Sequence, residues 1–194
     1  MDKRIEFFKN IPTLNTDRLI LRRILKKDIP DIYEYSSKYE VSKYLLWSPH
    51  PSIDFTKTYF QRIDKLYKKG EFYDFAIVLK DTGKMIGTVG FTSIDFFNNS
   101  AEIGYVISSA YHRRGFGKEA VRKIIELGFS EMNFHRLEAK FMLGNIASES
   151  LLKSIGFKFE GVMRDMVIKE NRYRSVGIYS LLLDEYQNLS NNNL

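Results

Sequence analysis

The sequence predicts an α/β (α+β) fold: a single mixed, mostly antiparallel sheet of about seven strands with helices on both faces. Three observations predict it. Seven segments show the alternation or apolar density of strands, and four amphipathic segments of helical period are interspersed among them. Gly, Asn and Asp cluster at the junctions, where turns need them. An order of one strand, two helices, three strands, helix, strand, helix and two strands then favours a sheet covered on both sides.

The elements follow in order. Residues 1–17 read as a lead-in ending in Asn15-Thr16-Asp17, and Arg18 to Ile24 alternates as a strand. Asp28 is placed to cap a helix through about Lys38, with Pro30 tolerated in the first turn. Trp47 to Pro51 is a turn, and Ser52 to Lys69 reads as a second helix ended by Gly70. Tyr73 to Leu79 is a strand, and Asp81-Thr-Gly83 turns into the strand Met85 to Ile94. Asn98-Asn-Ser100 turns again into Ala101 to Ile107. A long amphipathic helix, Phe116 to Met132, stops at Asn133. His135 to Met142 is a strand, and Ala147 to Ile155 is a short helix closed by Gly156. Strands Phe157 to Ile168 and Tyr173 to Leu183 complete the sheet, and the tail Ser190 to Leu194 is expected to be loose. Without a repeat or linker, residues 1–194 are expected to form a single domain.

Composition narrows the function. The 194 residues are 44% hydrophobic and 14% aromatic, which favours a folded globule with a sizeable core. No apolar run approaches the ~20 residues of a membrane span, and residues 1–10 show no apolar core of a secretory signal. Cysteine is absent, so disulfides, thiol nucleophiles and cysteine-bound metals are excluded. A reducing cytoplasm is the compartment this fits. The net charge of +6 suits anionic partners, but the charges are scattered, so direct nucleic-acid binding ranks last. The three histidines have no ligand spacing, and no metal site is expected.

Residues His112-Arg113-Arg114-Gly115-Phe116-Gly117-Lys118 say most about function. They lie between an apolar strand and a long helix. Two glycines at a helix start allow close backbone approach, while the helix dipole, Arg113, Arg114 and Lys118 attract a polyanion. A Walker loop fails, because Glu119 follows Lys118 and His112 stands where the first glycine belongs. A dinucleotide loop fits through Gly115, Gly117 and Ala120, but Ser108 to Arg114 intervene after the strand and Glu138 lies inside the next strand. The acetyl-CoA loop [QR]-x-x-G-x-[GA] fits every position but the first, where His112 stands.

With Leu14 to Arg22, Ala101-Glu-Ile-Gly-Tyr105, His135 to Ala139, Asn145-Ile-Ala-Ser148 and Gly156-Phe157 in order around that loop, the chain resembles the GNAT superfamily of N-acetyltransferases. More narrowly it is similar to the RimJ/RimL branch, which acetylates protein N-termini, over roughly residues 13–184. The resemblance implies the acyl-CoA N-acyltransferase fold and acetyl-CoA as cosubstrate, with its pantetheine arm lying between the strands before and after the loop. It implies that Val106 and Ile107 offer backbone groups to the pantetheine and thioester. Backbone N–H groups from Arg113 through Arg114, Gly115, Phe116 and Gly117 to Lys118 would hold the pyrophosphate, and Asn145 the pantetheine. Asn145 also suits a helix N-cap. Dimers are common among relatives, so a homodimer is a further expectation.

Acetyl transfer needs a proton acceptor for the amine, donors for the oxyanion and support for the leaving thiolate. Glu102 is the candidate base: it shares a strand face with Gly104, whose missing side chain is expected to leave room for substrate. Its other reading is a carboxylate paired with a cation. Ser148, in the first turn of a short helix, is the candidate for the leaving group, or a capping residue. Many members place a Tyr seven residues after the Asn; here that position is Leu152. Some RimL-type proteins use a Glu near Val167, where this chain has none. The aromatic run Tyr33, Tyr35, Tyr39, Tyr44, Trp47, Tyr59, Phe60 and Tyr67 reads first as core, although relatives frame the acceptor slot there, which singles out Tyr44 and Trp47. Arg172 and Arg174 read as solvated charge or a receptor for an acidic substrate. The acceptor is then a protein N-terminal α-amine, ribosomal-protein alanine type, with a small amine (polyamine, aminoglycoside) or a non-catalytic CoA-binding module as alternatives.

Overall fold

The computed structural model describes residues 3–191. The chain runs α1 (Lys3–Lys9), β1 (Leu14–Asn15), β2 (Leu19–Arg22), α2 (Ile29–Ser36), α3 (Tyr39–Ser42), α4 (Ile53–Lys69), β3 (Tyr73–Leu79), β4 (Met85–Asp95) and β5 (Ser100–Ile107). It continues through α5 (Phe116–Glu126), β6 (Arg136–Met142), α6 (Ile146–Ser154), β7 (Lys158–Lys169), β8 (Arg172–Leu182) and α7 (Leu183–Asn191). The strands form one mixed sheet in the order β1-β2-β3-β4-β5-β6-β8-β7. It has eight strands, one more than the sequence predicts, because the two-residue β1 pairs with β2 through Leu14↔Leu21 and Asn15↔Ile20. Two other segments read as unstructured are helical. Lys3–Lys9 lies in the expected lead-in, and α7 takes up Ser190 and Asn191 from the expected loose tail. The remainder of that tail, 192–194, lies outside the described residues.

Two compact units emerge. The first comprises residues up to Lys43 with Trp47–Gly90 and Tyr105–Lys123. Its β2 pairs antiparallel with β3 from Leu19↔Leu79 to Arg22↔Ala76, burying Leu19 and Leu21. The α4 boundaries fall where the caps predict: Ser52 Oγ accepts from the Phe55 N–H at 3.2 Å, and Gly70 closes the helix at φ 73°. The core gathers Ile24, Ile32, Tyr35, Val41, Ile63, Tyr67, Ala76, Val78 and Met85.

Asp28 corrects one expectation. It stands at the start of α2 but makes no side-chain cap. Its carboxylate turns back to accept from the Leu25 N–H at 2.7 Å and from both Nη atoms of Arg22 at 2.7 and 2.8 Å. Asp28 is buried, and a bidentate guanidinium satisfies a buried carboxylate better than a cap alone.

The second unit comprises Tyr44–Leu46, Phe91–Gly104 and residues from Ile124 onward. Here β5 and β6 run parallel over three pairs, Ser100↔Arg136 to Glu102↔Glu138, while β6 pairs with β8 along its whole length. The helix expected to continue to Met132 stays α only to Glu126 and widens into a π turn at Leu127–Glu131. Met132 N–H reaches back to Leu127 O at 3.0 Å. A Cβ on Gly128 would lie 3.1 Å from both Leu137 methyls, so the turn lies close over β6. Asn133 ends it at φ 53°, the left-handed position expected of a stop.

Candidate active site

The loop before α5 is shaped by its own backbone and held by one side chain. His112 Nε2 donates to the Ile107 carbonyl at 2.9 Å, which ties the loop back to the end of β5 and engages that carbonyl. Arg113 at φ 57° and Gly115 at φ 81° are both left-handed, a conformation glycine adopts without cost and arginine does not. The Glu119 N–H donates to the Gly115 carbonyl at 3.1 Å, so the N–H groups of Phe116, Gly117 and Lys118 make up the first turn. Arg113 and Arg114 are exposed, and among the described residues Arg113, Arg114 and Lys118 make no ion pair. Arg114 instead stacks over Tyr111 and Phe116 at 5.4 and 5.2 Å. Backbone donors and three cations at one helix start fit a pyrophosphate with a further phosphate.

The brace for this loop was not anticipated. Arg18 Nη1 donates to the Arg114 carbonyl at 3.0 Å, and its guanidinium lies 4.5 Å over the Phe116 ring. Glu119 receives Arg18 Nε and Nη2, each at 2.7 Å, the Arg18 N–H at 2.8 Å and the Thr16 hydroxyl at 2.6 Å. Burial works to raise the Glu119 pKa, but the hydrogen bonds from Thr16 and Arg18 outweigh it and hold the carboxyl below its usual value. The sequence shows Arg18 as a strand start and Glu119 as a helix residue; nothing in their spacing pairs them.

Glu102 is ion-paired, and Gly104 departs from expectation. Glu102 accepts from Lys140 Nζ of the neighbouring β6 at 2.6 Å, so the ion pair foreseen as its other reading is present. Gly104 leaves no room for a substrate: the position of its absent Cβ is filled by the Thr92 methyl. Glycine is needed there so that β4 can carry Thr92, whose hydroxyl donates to the Glu102 carbonyl at 3.3 Å. At Gly87 the same need arises in the first unit, since a Cβ would strike the Val106 carbonyl.

Asn145 caps α6, its Oδ1 accepting the Ser148 N–H at 3.2 Å, which leaves its Nδ2 hydrogens for other acceptors. Ser148 lies in the first turn with intermediate exposure. No hydrogen bond joins Glu102 to Asn145 or Ser148 among the described residues. The Tyr44 ring meets the site of a Gly144 Cβ at 3.8 Å, next to Asn145. Trp47 packs with the ring of His50, as do Phe55 and Tyr59. Thr56 donates to the Ser52 carbonyl, so His50 Nδ1 donates to Thr56 Oγ1, and burial lowers the pKa of this imidazole. His50 is therefore a neutral part of the packing. Val167 pairs across the last hairpin with Arg174, whose Nε is buried without a partner among the described residues.

The acetyltransferase (GNAT) domain profile matches residues 18–158. The chain is 38% identical over 174 residues to an uncharacterized N-acetyltransferase, p20, of Bacillus licheniformis, covering 90% of this chain and 98% of that protein. It is 25% identical to the ribosomal protein uS5-alanine N-acetyltransferase of Escherichia coli, over 85% of this chain and 89% of that one. It is 24% identical to the spermidine N(1)-acetyltransferase of Vibrio cholerae, over 89% and 98%. With the glycine-bearing helix start, the mixed sheet and this match, the chain belongs to the GNAT family of N-acetyltransferases, enzymes that draw their acetyl group from acetyl-CoA.

Proposed function

We propose that the chain, acting as one domain, transfers the acetyl group of acetyl-CoA to the α-amine of a protein N-terminus by direct attack in a ternary complex. The observation that carries the cofactor half is the start of α5: first-turn N–H groups behind left-handed Gly115, with Arg113, Arg114 and Lys118 beside them and no ion pair among the described residues to neutralise them. These hold the pyrophosphate and the further phosphate, while Val106 and Ile107 take the pantetheine and thioester and Asn145 Nδ2 donates to the arm. The likeness to the uS5-alanine enzyme supports a protein α-amine.

An α-amine has a pKa near ~8, so only a modest base is required at neutral pH. Glu102 is that base in this reading, directly or through a water, with Lys140 beside it to balance the charge. Ser148 donates to the thiolate as the C–S bond breaks, helped by the positive end of α6. With no cysteine in the chain, a thioester intermediate on the protein is excluded.

The similarity to the spermidine enzyme supports a second reading, acetylation of a small polyamine. A panel of peptides with different first residues, beside polyamines and aminoglycosides, separates the two when acetylated products are read by mass. Turnover of peptides alone supports the first reading and of polyamines alone the second. Binding of CoA with no turnover of any amine would leave a CoA-binding module and sink both.

A further inference from the structure

Strand β3 opens with an acid in an otherwise apolar run, Tyr73-Asp-Phe-Ala-Ile-Val-Leu79. Every residue from Phe75 to Leu79 is buried, whereas Asp74 retains intermediate exposure. Its carboxylate makes no hydrogen bond or ion pair among the described residues, and its backbone carbonyl accepts from the Tyr67 hydroxyl at 2.5 Å. Gly90 of β4 makes the space: a Cβ there would come within 2.7 Å of Asp74 Oδ1.

The surroundings are aromatic and polar. From α2 comes Tyr35 and from α4 come Tyr59 and Tyr67. Burial above all, and the nearby Asp74 charge in addition, raise the pKa of each of these hydroxyls. Neither the Tyr35 nor the Tyr59 hydroxyl makes a hydrogen bond among the described residues, although Tyr35 is only 6% exposed. The cations nearby are committed elsewhere: Arg22 to Asp28, and Arg23 to Asp64 while lying over the Tyr67 ring. Asp31 accepts the Met85 N–H, and Arg62 acts on Tyr59. Burial with no cationic partner pushes the Asp74 pKa up to about 7. An anion, two unbonded hydroxyls and aromatic walls are the complement of an organic cation.

Strand geometry decides which cation. Val106 packs on the same cluster as Tyr35, together with Trp47 and Tyr59. Val106 is level with Gly87 on β4, and Asp74 is level with Gly90. Three residues along a strand span ~10 Å, and β3 and β5 lie two strand spacings apart, also ~10 Å. The two backbones are therefore ~14 Å apart, and an aspartate side chain closes only a few ångströms of that. One amine cannot meet both Asp74 and a thioester held at Val106 and Ile107.

We infer that Asp74, on the strand face of Ala76 and Val78 where Tyr35 and Tyr59 pack, is a specificity subsite that receives a second positive charge of the acceptor, an ammonium or guanidinium carried ~10 Å from the amine that is acetylated. This rests on the placement of the thioester at Val106 and Ile107. A long diamine has that reach, and so does a peptide with Lys or Arg within its first three residues, at ~3.3–3.6 Å per residue.

The test uses matched pairs: 1,8-diaminooctane against octylamine, and an Ala-Ala-Lys peptide against Ala-Ala-norleucine. Binding to the CoA-saturated protein is measured by calorimetry, and acetylation by kcat/KM. The wild type prefers the dicationic member of at least one pair by ~tenfold or more, and Asp74→Asn brings that ratio to ~1. Which pair responds identifies the source of the second charge. Tyr59→Phe reduces the ratio partway, and CoA affinity reports that each variant is folded. A wild type indifferent in both pairs, or a preference that survives in Asp74→Asn, overturns the inference. If acetylation fails with every amine, the acetyl-transfer reading falls, and the calorimetric ratio still decides the Asp74 subsite.

Discussion

Arg18 and Glu119, about a hundred positions apart, form the joint that holds the loop before α5. One guanidinium presents Nε and Nη2 to Glu119 Oε2 at 2.7 Å each and Nη1 to the Arg114 carbonyl at 3.0 Å. Arg18→Ala is expected to weaken CoA binding ~tenfold, or ~1.4 kcal/mol, because the loop loses its brace. Since Arg18 is half exposed, the cost to stability is expected to stay near ~1 kcal/mol. Arg18→Lys should not restore affinity, because an ammonium cannot present the fork. Calorimetry with CoA checks both, and unchanged affinity in Arg18→Ala would separate the brace from the binding loop.

Cofactor choice follows from the phosphates. CoA and acetyl-CoA are expected to raise the melting temperature, and NAD(P) is not. Gly117→Val places a branched side chain in the first turn of α5 and is expected to weaken acetyl-CoA binding by more than ~1.4 kcal/mol, or tenfold. A folded Gly117→Val protein with native affinity would mean that the phosphates lie elsewhere.

Glu102 and Ser148 are expected to act on different observables. Glu102→Gln should lower kcat by ~10²-fold or more and remove the acidic limb of the pH–rate profile, the range for loss of a general base. Ser148→Ala should lower kcat with little change in acetyl-CoA affinity, because support for a thiolate is felt in the transition state. Full activity of Glu102→Gln across pH would reduce that residue to its ion pair with Lys140. A Ser148→Ala effect confined to stability would reduce Ser148 to a capping residue.

Asp74 makes the pH dependence of stability predictable in sign. Its folded pKa of about 7 lies above the ordinary 3.8, so the folded state holds this proton more tightly than the unfolded chain. Its contribution is fully present below the ordinary value and is lost as pH rises through about 7. Between pH 5 and pH 8 the wild type should lose ~2–3 kcal/mol relative to Asp74→Asn, at ~1.4 kcal/mol per pH unit within the window. Urea unfolding of both proteins across that range is the check, and parallel curves would show that Asp74 ionises normally.

The reach of the sequence can be seen in α4. Ser52 and Gly70 bound it because a cap and a left-handed stop are local chemistry, written within a few residues. The same holds for Asn145 at α6, for Asn133 after the π turn and for the glycines at the start of α5, so the strand–loop–helix proposed to bind the cofactor is legible from the chain. Asp28 shows the limit. Its type and position suit a cap, but Arg22, folded back beside it in a buried place, offers the stronger partner. Gly104 shows the same limit: an absent side chain says that something needs the space, and only the register of β4 shows that Thr92 takes it.

By itself, then, the sequence determined the order of the main elements, the sheet class, the loop and the family, because these depend on periodicity, caps and spacing over short stretches. Tertiary structure alone decided that Arg18 grips Glu119, that Lys140 pairs with Glu102, and that the Asp74 carboxylate has no ion pair among the described residues. Each of those relationships joins residues on different elements. Their strength comes from distance and burial, which exist only once the strands and helices have packed.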